Sequence, residues 1–339
     1  MNGKVVIGTG SYVPEYIVTN DEIERTCLDW DRLRSGQSLD AWCRERIGAI
    51  ERRRAAPEQA TSDLALRAAH AAMADAGVVA ADLDVIVLAT VTSDQRIPPT
   101  ASVLQKALGA KARYLQVDSA CTGFVDALMV TDGLMNTMGY RTALVVGADK
   151  MTTLLDERRF RERTIFGDGA GAVVLTSDGP VGRGLLAYST GSSGQDGAMV
   201  QVLGGGSRIQ PSHESVDRGD HFLSLSKAIP PYGTAKMVRA VREVLERAEV
   251  SLADVDWIVP HQASWNIVRD TARELDVSFD KFILNFDRFG NTSAGSIPLT
   301  LDEGNRRRLF KDGQRLLLPA VGAGMAWGCA FLVWHDYRT

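Results

Sequence analysis

Cys121 stands in the run Val117-Asp118-Ser119-Ala120-Cys121-Thr122-Gly123-Phe124, after an apolar stretch that ends at Val117 and before a helical pattern over 122–138. A thiol at the first turn of a helix meets the positive end of the helix dipole and free backbone N–H groups, which lower its pKa. The same N–H groups can hold an oxyanion. Both are what a thiol nucleophile needs. A free cysteine more commonly fills space in a core, and Cys27, Cys43 and Cys329 read that way, Cys329 from its place beside the apolar run AFLVW.

A nucleophile needs partners. Of the five histidines, His70 falls within a helical pattern, His213 and His221 in a polar segment, and His335 near the C-terminal end. His261 follows the strand-like DWIVP, at a strand end where α/β active sites gather. Asn291, in Phe289-Gly290-Asn291-Thr292-Ser293-Ala294-Gly295-Ser296, would be an ordinary turn residue if taken alone.

What brings these residues together is an internal repeat. AADLDVIV (80–87) and LADVDWIV (252–259) lie 172 residues apart, and each follows a helical pattern, Ser62 to Ala76 and Thr234 to Ala248. The same separation relates Cys121-Thr122-Gly123 to Ser293-Ala294-Gly295, and GAGAVVL (169–175) is similar to GCAFLVW (328–334). Continuous apolar runs at 85–90, 142–148 and 172–177 suit strands buried on both faces. The expectation is an α/β chain of two duplicated halves, 1–178 carrying Cys121 and 179–339 carrying His261 and Asn291, around a pseudo-two-fold axis. Helix 122–138 should bury Phe124, Leu128, Met135 and Met138. Residues 190–221, rich in Gly, Ser and Asp, read as a surface loop.

Composition narrows the function classes. Across 339 residues, 45% are hydrophobic and 24% charged, as in a soluble globular enzyme. A net charge of −4 argues against a nucleic-acid partner. No stretch has the length of a membrane span, the N-terminal apolar run is short for a signal peptide, and the cysteines form no CxxC pair or other metal-ligand spacing. A cytoplasmic protein without a structural metal is expected.

SACTGF, PHQAS (260–264) and GNTSAGS (290–296) together resemble the nucleophile, histidine and asparagine motifs of thiolase-fold condensing enzymes, most closely the β-ketoacyl-acyl carrier protein synthase III family. FGDGAGAVVL (166–175) and VGAGMAWG (321–328) resemble its glycine-rich signatures. Trp42, Arg46, Gly48, Glu51 and Arg52 fit its W-x3-R-x-G-x2-ER pattern. The resemblance implies a thiolase-like α/β fold in α-β-α-β-α layers and a ping-pong reaction. Cys121 takes an acyl group from acyl-CoA. A malonyl thioester, on acyl carrier protein or CoA, is then decarboxylated while His261 and Asn291 stabilise the enolate, and the carbanion attacks the acyl-Cys. The backbone N–H groups of Cys121 and Ala323 would form the oxyanion hole. Trp42 would stack on the CoA adenine, with Arg46 and Arg161 as further CoA contacts, and Ile97 would line the acyl pocket. A homodimer is implied, with strand 142–147 or the first sheet's edge near the two-fold, and no permanently bound cofactor. Basic residues at 158, 159, 161 and 163, or at 306–308 and 311, would meet an acidic carrier protein.

The chain departs from the family pattern in places. Ser264 stands where Asn is usual, Ala323 replaces a glycine, and residues 27–42 form a longer segment. Ala228 to Gly233 replace a more regular helix entry, and Ile97 replaces an aromatic residue. These departures point to acyl groups larger than acetyl and to specialised biosynthesis. The principal alternative is an acyltransferase of the same fold acting on a hydroxyl or amine. A hydroxymethylglutaryl-CoA synthase would need a glutamate near 91–95, where the chain reads VTSDQ, and a thiolase would need a second reactive cysteine.

Overall fold

The computed structural model describes residues 3–338; Met1, Asn2 and Thr339, at the outer limits of the two expected halves, lie outside them. In chain order the strands are β1 (Gly3–Tyr12), β2 (Tyr16–Thr19), β3 (Glu51–Arg54), β4 (Val85–Ala89), β5 (Arg113–Val117), β6 (Thr142–Lys150) and β7 (Asp168–Gly179). They are followed by β8 (Gly184–Ser192), β9 (Val200–Gln201), β10 (Ser224–Leu225), β11 (Trp257–Ile258), β12 (Arg315–Gly322) and β13 (Ala326–Val333).

Two sheets dominate. The first has the order β1-β7-β6-β4-β5 and the second β8-β13-β12-β11. In the first, β4 runs parallel to β5 and β6, and β7 runs antiparallel to β6 and β1. In the second, β12 runs parallel to β11, and β13 runs antiparallel to β12 and β8. The connectivity is the same but for one strand. The fifth place in the second sheet is held by a single parallel bridge between Ile258 and Phe282.

The apolar runs explain the layering. All five residues of β4 are buried, which requires helices on both faces. Helices Gly123–Met138 and Ser296–Arg306 lie between the sheets, where Phe124, Leu128, Ile297 and Leu301 share one core with Val87 and Val145 of the first sheet and Leu318 and Ala330 of the second. Thr61–Ala76 and Thr100–Leu108 cover the outer face of the first sheet. Ile229–Ala248 and Trp265–Leu275 cover that of the second. The order is α-β-α-β-α. Among the described residues, no helix is long and apolar enough to cross a membrane.

Several details differ from the sequence reading. The spacing between the halves is 172 only at first: the short turns Ala80–Asp82 and Leu252–Asp254 correspond at that interval. After β4 and β11 it becomes 173, since the Asp84 N–H donates to the Thr142 carbonyl as the Asp256 N–H donates to that of Arg315. The turn Ala120–Thr122 therefore matches Ser293–Gly295, and their first residues share a left-handed φ of 48° and 50°. The counterpart of Cys121 is Ala294, not Ser293. The helix expected from Thr234 starts at Ile229, with Pro230 and Pro231 in a first turn that has no need of their missing N–H groups. Met138 is 60% exposed, because it ends its helix beyond the sheets. Of the two strand placements expected near a dimer axis, 142–147 lies inside β6, hydrogen-bonded on both sides, and the sheet's edges are β1 and β5. Residues 190–221 are not merely a surface loop: β9 pairs with β10, and Gly204 to Gly206 line the cavity that holds Cys121.

Where the halves touch, β6 passes directly beneath the Ser293–Gly295 turn. A Cβ on Gly147 would overlap the Ala294 carbonyl oxygen. Gly147→Ala is expected to destabilise the protein by about 2–3 kcal/mol through overpacking. Gly133→Ala is the control. Gly133 lies within helix Gly123–Met138 with open space at its Cβ, so the change should stabilise by roughly 0.5–1 kcal/mol. Urea unfolding of the two variants beside the parent checks both signs.

Candidate active site

The two buried helix starts meet at one end of a cavity of about 690 Å³. Cys121, His261, Asn291 and Ser293 line its polar end, and much of the rest is apolar, including Met151, Leu154, Phe166, Leu223, Ile267 and Met325. Such a cavity suits a chain-like ligand with one reactive end.

Cys121 comes from the turn that the small residues Ser119 to Gly123 allow, and its Sγ lies 3.8 Å from the Ser293 hydroxyl. The end of β12 comes up against it: a Cβ on Gly322 would stand 3.0 Å from the backbone nitrogens of both Cys121 and Thr122. The glycine thus leaves an opening beside the N–H groups of the helix start, and Ala323 follows in the turn that lines the cavity. The expectation of an acidified thiol is reversed. Burial pushes Cys121 up to about 12, and the negative charge of Asp149 adds to this against hydrogen bonds from Ser293 and Asn291. The resting group is a neutral thiol.

His261 continues from β11 and is wholly buried. Its Nδ1 lies 2.7 Å from Ser296 Oγ, which is also 2.9 Å from the Ser293 carbonyl. The hydroxyl has one proton for these two acceptors. Given to the Ser293 carbonyl, it places the ring hydrogen on Nδ1; turned to Nδ1, it leaves the ring hydrogen on Nε2 as a donor. Nε2 has no partner among the described residues, and His261 lines the cavity. Burial lowers the ring to about 3, so the imidazole is neutral at physiological pH.

Asn291 is held at both ends. Its N–H donates to the Ile165 carbonyl at 2.8 Å, and its own carbonyl accepts from the Gly167 N–H at 3.1 Å. Its Oδ1 accepts from the Ser293 N–H at 2.8 Å, which leaves Nδ2 as the end of the amide that serves Cys121 and the cavity. Arg52, buried, steadies this frame by donating to the Thr164 carbonyl at 2.7 Å and to Asn20 Oδ1 at 2.8 Å.

Arg161 and Ala323 also line the cavity, Arg161 donating to the Leu225 carbonyl at 3.4 Å. Trp42 does not reach it, but packs edge-on against Phe160, with ring centres 5.4 Å apart, and beside Trp30 at 5.6 Å. Arg46, exposed, ends the same helix, Leu39–Arg46. Ile97 is 87% exposed and lines no part of its own chain's cavity. The basic residues expected to meet a carrier protein lie in different settings. Arg163 is buried against Glu157. Arg306 to Arg308 lie at the far end of a helix that starts at the site, roughly 16 Å away at 1.5 Å per residue.

Ser293, Ser296 and Gly322 are site residues that the sequence reading did not single out. The two serines lie within the GNTSAGS motif, but their contacts with Cys121 and His261 come from the crossing of the halves. Ser264 acquires a local role: it caps helix Trp265–Leu275, its side chain accepting from the Ile267 N–H.

Residues 115–194 match the family described as 3-oxoacyl-[acyl-carrier-protein (ACP)] synthase III, and residues 245–334 match its C-terminal part. A β-ketoacyl-[acyl-carrier-protein] synthase III of Caldanaerobacter subterraneus is 37% identical over 333 residues, 97% of each chain. The chain belongs to the synthase III family. Among solved synthase III structures, that of Pseudomonas aeruginosa superposes with a TM-score of 0.87 at 34% identity, covering 98% of this chain and 99% of that one. The priming β-ketosynthase of the R1128 polyketide pathway superposes with a TM-score of 0.87 at 28% identity, covering 99% and 97%.

For this synthase III member, the neutral thiol sets a pH signature. Alkylation of Cys121 by iodoacetamide should rise about tenfold per pH unit from roughly pH 7 to 10 without levelling, because only the thiolate reacts and its pKa lies near 12. A plateau between about pH 6 and 8 would instead reveal a thiolate–imidazolium pair.

Proposed function

We propose that the protein is an acyl-CoA-primed condensing enzyme that joins an acyl group, carried on Cys121, to a malonyl thioester on acyl carrier protein or CoA. The observation that carries this reading is the convergence of the Cys121 thiol, the unpartnered Nε2 of His261 and the Nδ2 end of the Asn291 amide at one end of an extended, largely apolar cavity.

In the loading step the Cys121 sulfur attacks the acyl-CoA carbonyl. The new sulfur–carbon bond forms, the CoA sulfur–carbon bond breaks, and the thiol proton ends on CoA. The tetrahedral oxyanion would sit in the opening beside Gly322, held by the N–H groups of Cys121 and Ala323. In the second step the malonyl thioester loses CO2, and its carbonyl oxygen takes up negative charge. With the Ser296 hydroxyl turned to Nδ1, His261 Nε2–H and Asn291 Nδ2–H are the two donors for that oxygen. The carbanion attacks the acyl carbon, the Cys121 sulfur leaves, and a proton returns it to the thiol.

A neutral histidine suits this work. An imidazolium would have to survive without water in a wholly buried place, whereas a neutral N–H donor needs no charge. Arg161, with Arg96 at the rim, offers positive charge to an incoming phosphate or acidic carrier protein. Trp42 and Arg46 lie farther out, where a CoA nucleotide would rest on the surface. We assign the dimer to the open β5 edge. The neighbouring loop carries Ile97 outward, where it would enter the cavity of a partner copy, and Ile97→Phe should then shift preference towards shorter acyl-CoAs. The two halves, 1–178 and 179–339, act as a nucleophile half and a donor half.

Intact-mass measurement tests the nucleophile. Acyl-CoA should add one acyl mass to the parent and none to Cys121→Ala; a full adduct on the alanine variant would exclude Cys121. Asn291→Ala separates the two half-reactions. It should load acyl groups at close to the parental rate, yet release CO2 from a malonyl thioester on the order of a hundredfold more slowly, as loss of one oxyanion donor does. If the parent loads acyl groups and passes them to a hydroxyl or amine without consuming a malonyl thioester, the protein is an acyltransferase.

A further inference from the structure

The two halves treat equivalent positions in opposite ways. Strand pairing aligns β6 with β12 at the 173-residue interval: Ala143 pairs with Val85 as Leu316 pairs with Trp257. Two steps before the turns, Gly147 of β6 corresponds to Ala320 of β12, and at the strand ends Asp149 corresponds to Gly322. Each of these end residues reaches across to the helix start of the other half. Gly322 faces the backbone N–H groups at Cys121 with no side chain. Asp149 faces the counterpart turn with a carboxylate, and its Oδ2 accepts from the Ala294 N–H at 3.1 Å.

The opening beside Cys121 thus has a filled twin. In the second half an aspartate oxygen occupies the place left vacant at the nucleophile. Asp149 is wholly buried, and its other oxygen accepts from the N–H groups of Val91 and Thr92 at 2.9 and 3.1 Å and from the hydroxyls of Thr90 and Thr92, both at 2.9 Å. One carboxylate therefore ties the loop after β4 to the turn that follows Asn291.

We propose that Asp149 is a positioning residue for the Asn291 donor. Its hold on Ala294 fixes the peptide whose neighbour, Ser293, donates its N–H to Asn291 Oδ1. That bond decides which end of the Asn291 amide serves the cavity. Without the tether the Ser293 N–H can move away, and the amide can turn its oxygen towards the developing enolate, where it repels rather than stabilises. The loading step uses the other turn, where Asp149 acts only through its charge, which disfavours the Cys121 thiolate. The proposal rests on the condensing reading above, and it extends the site to a residue that touches neither substrate.

The test is a double-mutant cycle on the two half-reactions. Asp149→Asn preserves shape but sets an NH2 group against donors. Acyl loading, followed by intact mass, should be retained or faster, because the Asp149 charge is one of the causes that hold the Cys121 thiol up, while CO2 release from a malonyl thioester should fall at least about tenfold, in kcat more than in KM. Combined with Asn291→Ala, it should add nothing: the double variant should release CO2 as Asn291→Ala alone does, because both changes act through one donor. Equal losses in loading and CO2 release, or effects that multiply in the double variant, would overturn the proposal and leave Asp149 a structural residue. Should Asp149→Asn not fold, Thr92→Val removes one hydroxyl from the same carboxylate; it should lower the ratio of CO2 release to loading a few-fold, and an unchanged ratio would overturn the proposal equally. A parent that loads but releases no CO2 would instead reject the condensing reading itself, and is seen before any variant is made.

Discussion

Two helices start face to face between two sheets, and the rest of the molecule is arranged around the N–H groups they expose. A helix start leaves several backbone donors without partners, and in a dry interior each must find an acceptor or be left facing a space that a ligand fills. Here one start is satisfied from within by the Asp149 carboxylate, and the other faces a glycine and a cavity. Duplication supplied two such turns, and a single difference between equivalent positions, aspartate in one and glycine in the other, separates a structural joint from a reactive one. The close passage of β6 beneath the second turn holds the two starts in register.

The electrostatic character of the site follows from the same burial. A thiol and an imidazole with ordinary values of 9.0 and 6.5 are displaced in opposite directions, the thiol to about 12 and the ring to about 3, so that both are uncharged at rest. Nothing at the centre has to be neutralised before an apolar acyl chain enters. In the reaction proposed above, charge appears only on oxygens that face N–H donors of the chain, and such preorganised donors avoid the reorganisation that water would require.

Much of this was legible in the sequence, for reasons that can be given residue by residue. Apolar runs such as Val85 to Ala89 leave little choice but a strand covered on both faces, and Gly77 ends its helix in the left-handed conformation that glycine favours. Cys121, His261 and Asn291 could be named because each sits at the end of a repeated element. What escaped was whatever depends on the halves crossing. A one-residue lengthening between β11 and the following turn shifted the correspondence by one, and no local pattern records it. Ser296 touches His261, and Gly322 touches Cys121, across 35 and 201 positions of chain. The thiol's shift was misjudged because a helix terminus is visible in sequence, whereas the depth at which it is buried is not. Trp42 and Ile97 lie outside the cavity of their own chain, where a motif gives identity but not reach.

The burial of His261 bears on how the whole fold meets acid. An imidazole held near 3 in the folded chain and near its ordinary 6.5 when unfolded binds a proton on unfolding anywhere between those limits. Above about pH 6.5 neither state is protonated and the group is indifferent to folding. As pH falls through that window, the unfolded chain gains the proton and the folded chain cannot, so stability declines by up to about 1.4 kcal/mol per pH unit from this one residue. A single buried ring therefore also acts as an acid-labile latch at the centre of the fold.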